Sequence, residues 1–293
     1  MKKVLSIILI ILIIFILTGC NEEKINSENF KITTSFYPMY IIALNLTKDA
    51  KNIELNNMTD SSIGCLHNYT LTTNDLKKIQ ESDILVINGL GLEENILNTV
   101  NKTNSNIKVI DSSDNIDEKD IISGNNVNPH IWTSINLYKN QVETISENLI
   151  NLDENNREIY VKNTEEYINK LNELENRENT VKEKIANVEV VVFSESLEYL
   201  IKEMNINYSI FSIGHEESGV SSEELGEIID EINDKNIKTI LIDKEDSKAI
   251  ANSVSAETGA TIHEMDSCLT GELDLDSYIT KMNSNLDILE NIV

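Results

Sequence analysis

Cysteines and basic residues are both scarce in this chain of 293 residues. Three cysteines are too few to build a small scaffold held together by disulfide bonds. The 24 lysine and arginine residues stand against 50 aspartate and glutamate residues, which leaves a net charge of -26. Because nucleic-acid binding depends on clustered basic side chains that neutralise phosphates, no nucleic acid is expected as a partner. The acidity suits a cationic ligand, but a well-solvated surface explains it equally well.

The apolar run at residues 4–17 is too short for a membrane span, which takes about 20 residues. Two lysines precede the run, and the small-residue sequence Leu-Thr-Gly follows it and leads to Cys20. This order is typical of a lipoprotein secretion signal. We therefore expect a signal peptide at residues 1–19, lipid on Cys20, and a tether at residues 20–29. The remaining chain is expected to be a domain held at the outer face of a bacterial cell membrane.

Short β-rich segments alternate with amphipathic helical segments in two separate sets. Strands are expected at 30–35, 52–58, 83–88 and 107–111, and again at 188–193, 207–213, 237–243 and 260–266. Alternating strands and helices favour mainly parallel sheets that are covered by helices on both faces. The predicted fold class is therefore α/β with two lobes, an N-terminal lobe at residues 30–152 and a C-terminal lobe at residues 187–293.

The segment between the two sets has the most regular apolar spacing in the chain. From Tyr160 to Ile185 the apolar positions are separated by three, four or seven residues, and no glycine or proline interrupts residues 154–186. We expect a single backbone helix at residues 153–186, about 50 Å long, that bridges the lobes and packs along both. Its apolar stripe is narrow for a coiled-coil dimer, so a monomer is expected.

Two of the four histidines follow predicted strands of the first lobe. His67 lies just beyond the second strand and His130 just beyond the fourth, and ligands of open α/β sheets bind at this carboxyl edge. In the second lobe, Ser194 and Glu195 follow the first strand and Asp276 lies beyond the last one. Two imidazoles with one or two carboxylates suit zinc, and a site richer in oxygen suits manganese.

The remaining histidines and the cysteines leave alternatives open. His215 also follows a predicted strand and is a possible alternative ligand, whereas His263 lies inside a strand and is expected to be structural. Cys65 and Cys268 are both near the predicted crevice. A thiolate there would favour zinc over manganese, and a bond between the two would link the lobes, but two small, partly buried residues are the simpler interpretation.

Six segments of the sequence resemble the extracytoplasmic receptors of ABC-type zinc and manganese importers. They are TTSFYPMY at 33–40, GCLHNY at 64–69, NGLGLE at 88–93, PHIW at 129–132, ETGA at 257–260 and DSY at 276–278. The segments occur in the family's order across nearly the whole mature chain. The resemblance implies two α/β lobes bridged by a long helix, with one divalent cation held between them and delivered to a membrane permease.

The resemblance also implies a set of metal ligands. His67 and His130 match the two ligands of the first lobe, and Asp276 matches the acidic ligand of the second lobe. At the remaining position zinc receptors of the family usually have histidine and manganese receptors have glutamate, whereas this sequence has Ser194 with Glu195 beside it. Three alternatives follow, in which Glu195 binds the metal, a different histidine such as His215 replaces it, or the site is weakened.

The leading hypothesis is therefore a receptor that binds zinc, or alternatively manganese, and has no enzymatic activity. One competing hypothesis is a surface adhesin or interaction lipoprotein with a degenerate metal site. Another is a metallohydrolase, because two histidines and a carboxylate also build catalytic zinc sites with a position open to water. The sequence contains no His-Glu-x-x-His helix and no nucleophile elbow, and the candidate ligands are spread over both lobes, which disfavours the hydrolase.

Overall fold

The computed structural model of the chain describes residues 29–292, with the exception of residues 68, 105, 125, 187 and 212–219. The predicted signal peptide, the lipidation residue Cys20 and the alternative ligand His215 lie outside the described residues.

Two four-stranded, fully parallel sheets form the centres of the two lobes. The first has the strand order β2-β1-β3-β4 and the second has the order β6-β5-β7-β8. The strands are β1 Phe30–Thr34, β2 Ile53–Asn57, β3 Ile84–Ile87, β4 Lys108–Asp111, β5 Glu189–Val192, β6 Asn207–Ile210, β7 Thr239–Asp243 and β8 Thr261–Met265. The central strands β3 and β7 are buried along their whole length, as expected for apolar strands covered on both faces. The predicted α/β class is confirmed.

Helices cover both faces of the sheets in the described part of the chain. They are α1 Tyr37–Leu46, α2 Thr73–Gln80, α3 Glu94–Thr103, α4 Ile135–Leu152, α5 Arg157–Lys184, α6 Glu198–Glu203, α7 Ser222–Asp234, α8 Ala249–Thr258 and α9 Ser277–Glu290. Local sequence sets several of their ends, since capping boxes start α2 at Thr72 and α7 at Ser221, and left-handed Gly259 ends α8. Over residues 29–292, apart from the gaps given above, no helix combines the length and the apolar character needed to cross a membrane.

The long helix α5 belongs to the cores of both lobes. It has 28 residues, or about 42 Å, and follows a short 3-10 turn at Glu154–Asn156. The apolar side chains of its predicted stripe that lie on the helix are almost completely buried, namely Tyr160, Tyr167, Leu171, Leu174 and Val181. They pack against α1 and α4 from the first half of the chain and against α9 from the second half. The sequence places this helix at residues 153–186, and the structure places its α-helical part slightly inside that range.

The two lobes also contact each other directly near the carboxyl edges of their sheets. The Trp132 indole donates to the carbonyl of Ser267 at 2.8 Å, and the Tyr278 hydroxyl donates to the carbonyl of Trp132 at 2.9 Å. The Tyr199 hydroxyl donates to the carbonyl of Asn128 at 2.7 Å. Buried polar groups are therefore satisfied across the boundary between the lobes, which fixes the segment 128–132 against the second lobe.

Candidate metal centre

His130 lies at the boundary between the lobes and is completely buried. It precedes a single 3-10 turn at Ile131–Thr133, and its ring makes an edge contact with Trp132 at a centroid distance of 5.2 Å. Both its backbone nitrogen and its Nδ1 atom approach the Oδ1 atom of Asn128, at 3.0 and 2.7 Å. The imidazole is therefore held in one orientation by packing and by a polar partner, as is usual for histidines that bind metal.

Asn128 determines which nitrogen of His130 carries the proton. Its Nδ2 atom donates to the carbonyl of Glu195 at 2.9 Å and to the Glu198 carboxylate at 3.1 Å. Both partners only accept, so the amide oxygen must face His130, and Nδ1 of His130 must donate to it. In the neutral ring, which is the form in which histidine binds a metal, the lone pair is then on Nε2.

Cys65 and His67 face this lone pair from the loop that follows β2. The Cys65 Sγ atom is 3.4 Å from His130 Nε2, and the rings of His67 and His130 are 5.3 Å apart. One ligand atom from each of Cys65, His67 and His130 can be chosen so that all lie within 4.8 Å of one another. Among the described residues this is the one such group of three or more histidine, cysteine or carboxylate side chains. The structure thus brings both predicted histidines together and adds a thiol.

Both described cysteines are free thiols, so no disulfide bond joins Cys65 to Cys268. Burial raises the pKa of the Cys65 thiol to about 11. Burial also raises the pKa of Cys268 well above its usual value. In the metal-free protein both groups are therefore neutral thiols at pH 7.

Glu195 extends the group from the second lobe. It begins the 3-10 turn Glu195–Leu197 directly after β5, and its Oε1 atom lies 3.7 Å from His67 Nε2. Ser194, by contrast, is buried and its hydroxyl shares a hydrogen bond of 2.8 Å with Ser196, which in turn donates to Asp243 at 2.9 Å. Of the two adjacent residues, Glu195 is the one whose side chain reaches the histidines.

A cavity of about 820 Å³ leads to this group from the surface. His67, Glu195 and Glu198 line it, together with residues 122–124 and 126–129 and Ile210. His130 is not among the lining residues and lies behind His67. An ion that enters from solvent would therefore meet His67 and Glu195 before it reached His130.

The structure does not bring Asp276 to the histidines. Its carboxylate Oδ1 lies 2.6 Å from the Lys170 ammonium on α5, and the side chain is 58% exposed. The carbonyl of its neighbour Leu275 accepts a hydrogen bond from Asn45 near the far end of α1, about 12 Å along that helix from the carboxyl edge of β1. The sequence places Asp276 only beyond the last strand, and the intervening segment contacts the first lobe through Gly271, which donates to the carbonyl of Ser61, and Glu272, whose carbonyl accepts from Tyr37.

The acidic residue at the carboxyl end of β8 is Asp266, which the sequence analysis did not single out. Its Oδ2 atom accepts from Lys281 at 2.7 Å and lies 2.8 Å from the Lys244 ammonium. Burial alone would raise the pKa of this carboxyl, but the two lysines outweigh that effect and lower the pKa below its usual value. The charge of Asp266 is therefore already compensated within the protein.

A buried network connects His130 to the NGLGLE segment. The Glu93 carboxylate accepts from the Ser35 hydroxyl at 2.8 Å, from Asn88 N at 2.9 Å and from Gly89 N at 3.1 Å. The Asn88 side chain then donates to the carbonyl of Pro129 at 2.9 Å. Gly89 has a φ of 91°, and a Cβ atom there would lie 1.9 Å from the Asp111 side chain, so only glycine fits. This motif shapes the loop that supports the metal ligand His130.

Sequence reasoning placed Cys65 near the crevice without assigning it as a ligand, and it did not identify Asn128. The spacing Cys-x-His within one loop was a signal for the thiol, because it puts two ligand types on one short segment. No pattern pointed to Asn128, whose role depends on partners 67 and 70 residues away in the chain.

Comparison with known proteins gives consistent matches along the chain. The profile of the family ZnuA, zinc-uptake complex component A periplasmic, matches residues 32–292. The manganese-binding lipoprotein MntA of Halalkalibacterium halodurans is 25% identical over 98% of this chain and 97% of that protein. The high-affinity zinc uptake system protein ZnuA of Bacillus subtilis is 23% identical over 93% of this chain and 90% of that protein. The crystal structure of the metal-dependent lipoprotein YcdH from Bacillus subtilis has a TM-score of 0.75 at 25% identity, covering 90% of this chain and 98% of that chain.

These matches decide between the classes of protein that the sequence left open. The family consists of receptors that work with a membrane permease and an ATPase, not of enzymes, so the metallohydrolase hypothesis is rejected. The resemblance that the six sequence segments indicated is confirmed. The chain belongs to the ZnuA family of metal-binding receptors of ABC importers for zinc and manganese.

Proposed function

We propose that this receptor captures zinc, and manganese less well, in the crevice between its lobes and delivers it to the permease. The observation that carries the proposal is the convergence of His67 and His130 from the first lobe with Glu195 from the second. The Nε2 lone pair of His130 and the 3.7 Å approach of Glu195 to His67 supply the ligand types that zinc prefers. Buried Asn128 supports the arrangement because it contacts ligand residues of both lobes.

The same geometry argues against a degenerate site in a pure adhesin. A degenerate site would have lost ligands or replaced them with side chains that cannot bind a cation. Here the predicted histidines lie together, and the second lobe contributes a carboxylate despite Ser194 at the adjacent position. The receptor function therefore explains the buried polar residues, which an adhesive surface would not require.

We further propose that the receptor is a monomer anchored by lipid on Cys20 to the outer face of the cell membrane. The support for the anchor is the lipoprotein signal in the sequence, with the signal peptide at residues 1–19 and a tether at 20–29. The support for the monomer is helix α5, whose apolar face is occupied by α1, α4 and α9 of the same chain. A second copy would therefore find no apolar stripe on this helix to pack against.

The first prediction concerns metal stoichiometry. Metal-free protein, titrated with zinc and followed by native mass spectrometry, should take up about one zinc ion per chain, as expected for one four-ligand site. Zinc should also displace manganese in competition. At zinc concentrations about 1,000 times the Kd, binding should stabilise the folded state by about 4 kcal/mol, measured by denaturant unfolding. Absence of uptake of both metals would reject the receptor proposal.

The second prediction identifies the ligand from the second lobe. Glu195→Ala should weaken zinc binding at least about 10-fold, the lower end of the cost of losing even an outer partner of a ligand, because the carboxylate next to His67 is lost. His263→Ala serves as a matched control, since that side chain lies within β8, and zinc affinity should be unchanged. Isothermal titration on each variant measures the effect. If His215→Ala or Asp276→Ala causes the loss and Glu195→Ala does not, the assignment of Glu195 is wrong.

A further inference from the structure

We infer that Cys65 is a fourth ligand of the captured zinc, so that the site is formed by one thiolate, two imidazoles and one carboxylate. The inference rests on the proposed function and specifies its ligand set. Cys65 lies on the same loop as His67, and its sulfur is directed at the Nε2 atom of His130. The remaining three ligands are His67, His130 and Glu195.

The distances between the ligand atoms suit a tetrahedral zinc ion. With typical Zn–S and Zn–N bonds, the sulfur and nitrogen ligands of a tetrahedral site are about 3.6 Å apart, and nitrogen and oxygen ligands are about 3.4 Å apart. The Cys65 sulfur is 3.4 Å from His130 Nε2, and the Glu195 oxygen is 3.7 Å from His67 Nε2. These two distances match edges of such a tetrahedron, whereas Glu195 lies outside the group whose ligand atoms are all within 4.8 Å of one another and would have to move towards Cys65 and His130 to bind the same ion. The ligand atoms of Cys65, His67 and His130 lie within 4.8 Å of one another. Small side-chain movements would therefore bring these three first-lobe ligands to the spacing of one face of a coordination tetrahedron.

The charges of the surrounding residues also favour a thiolate ligand. A zinc ion brings two positive charges to a partly buried site, and neutral imidazoles compensate none of them. Glu195 supplies one negative charge, whereas the carboxylate of Asp266 is already paired with Lys244 and Lys281. Zinc replaces the thiol proton of Cys65, which leaves to solvent, and the resulting thiolate supplies the second negative charge. The two negative ligands then balance the two charges of the zinc ion.

A thiolate ligand determines which cations the site prefers. Soft sulfur ligands select zinc, whereas manganese prefers carboxylate, carbonyl and water oxygens. Without the sulfur, the three ligands that remain are two imidazoles and a carboxylate, a combination that manganese accepts. Cys65 is therefore the residue that separates zinc from manganese in this receptor.

The test compares the full chain with the variants Cys65→Ser, Cys65→Ala and, as a matched control, Cys268→Ser. Cobalt(II) is the spectroscopic probe for zinc, because a thiolate ligand gives a sulfur-to-cobalt charge-transfer band in the near ultraviolet. The original chain and Cys268→Ser should show this band, and both Cys65 variants should lack it. Both Cys65 variants should also bind zinc at least about 10-fold more weakly, the lower end of the cost of losing even an outer partner of a ligand. Manganese affinity should stay unchanged, so the preference for zinc falls by the same factor.

Each outcome bears on one proposal or on both. One cobalt bound per chain without the charge-transfer band would overturn the thiolate inference and leave the receptor function intact. Equal losses of zinc and manganese affinity in the Cys65 variants would mean that Cys65 only supports the fold, and would also overturn the inference. If the original chain binds none of the three metals, both the inference and the proposed function fail. Retained manganese binding in Cys65→Ser and Cys65→Ala shows that these variants are folded.

Discussion

His130→Ala should abolish high-affinity zinc binding and lower the zinc affinity by more than about 100-fold. This loss exceeds the roughly 10- to 100-fold loss of affinity that follows when a residue that only supports a ligand is removed. The substitution removes the proposed ligand that lies deepest in the crevice. It also leaves the Oδ1 atom of Asn128 without the ring that it orients, at a site where Asn128 connects both lobes. Titration of the metal-free variant with zinc, in competition with a chelator of known affinity, measures the change.

A second histidine variant, His263→Ala, tests whether the loss of zinc affinity is specific to His130. His263→Ala removes a half-buried imidazole from β8, and burial lowers the pKa of that ring. Its zinc affinity should equal that of the original chain. If His130→Ala still binds zinc and His263→Ala does not, the proposed site is wrong and the zinc site lies near β8 in the second lobe.

Most of the architecture was predictable because strands and helices leave local signals. The segments around β3 and β7 are short apolar runs bounded by polar residues, and each became a fully buried parallel strand. The stripe on α5 has helical spacing over many turns, which determines both its conformation and its buried face. Neither signal requires knowledge of distant residues.

The site was predictable only where topology determines position. His67 and His130 follow strands of one sheet, so the carboxyl-edge rule brought them to one crevice. Asp276 follows the last strand only in sequence order, and a connecting segment carries it to Lys170 on α5. Distance along the chain does not explain the difference, because His130 lies 19 residues beyond the end of β4 and Asp276 only 11 residues beyond the end of β8. The contacts that hold each loop decide its position, and they join residues far apart in sequence, as Trp132 with Ser267 and Lys170 with Asp276.

The hydrogen bonds of the centre could not be read from the sequence at all. Asn128 selects the tautomer of His130 because its amide is oriented by Glu195 and Glu198 of the other lobe. Such a contact depends on how two lobes meet, which no local pattern encodes. Cys65 presents the same problem, because a small thiol suits a packed core and a metal site equally well.

The NGLGLE motif is expected to contribute to stability rather than to metal binding. Glu93 is buried, and burial raises the pKa of its carboxyl to about 7 despite hydrogen bonds from Asn88, Ser35 and Gly89. Relative to the unfolded chain, the folded protein therefore holds this proton more tightly between about pH 4.5 and 7. When the folded state binds more protons, stability falls as pH rises, so the contribution of Glu93 is largest below about pH 4.5 and declines towards pH 7.

Glu93→Ala should lower the unfolding free energy of the metal-free protein by about 3 to 5 kcal/mol, because three buried donors lose their acceptor and a cavity remains. Glu94→Ala is the matched control, since its neighbouring carboxylate is exposed, and its unfolding free energy should stay within about 0.5 kcal/mol of the original. Urea unfolding at several pH values measures both variants. The difference between the original chain and Glu93→Gln should shrink as pH rises from about 4.5 to 7, because glutamine does not titrate. A difference that grows over this range would mean that the hydrogen bonds to the carboxylate outweigh its burial.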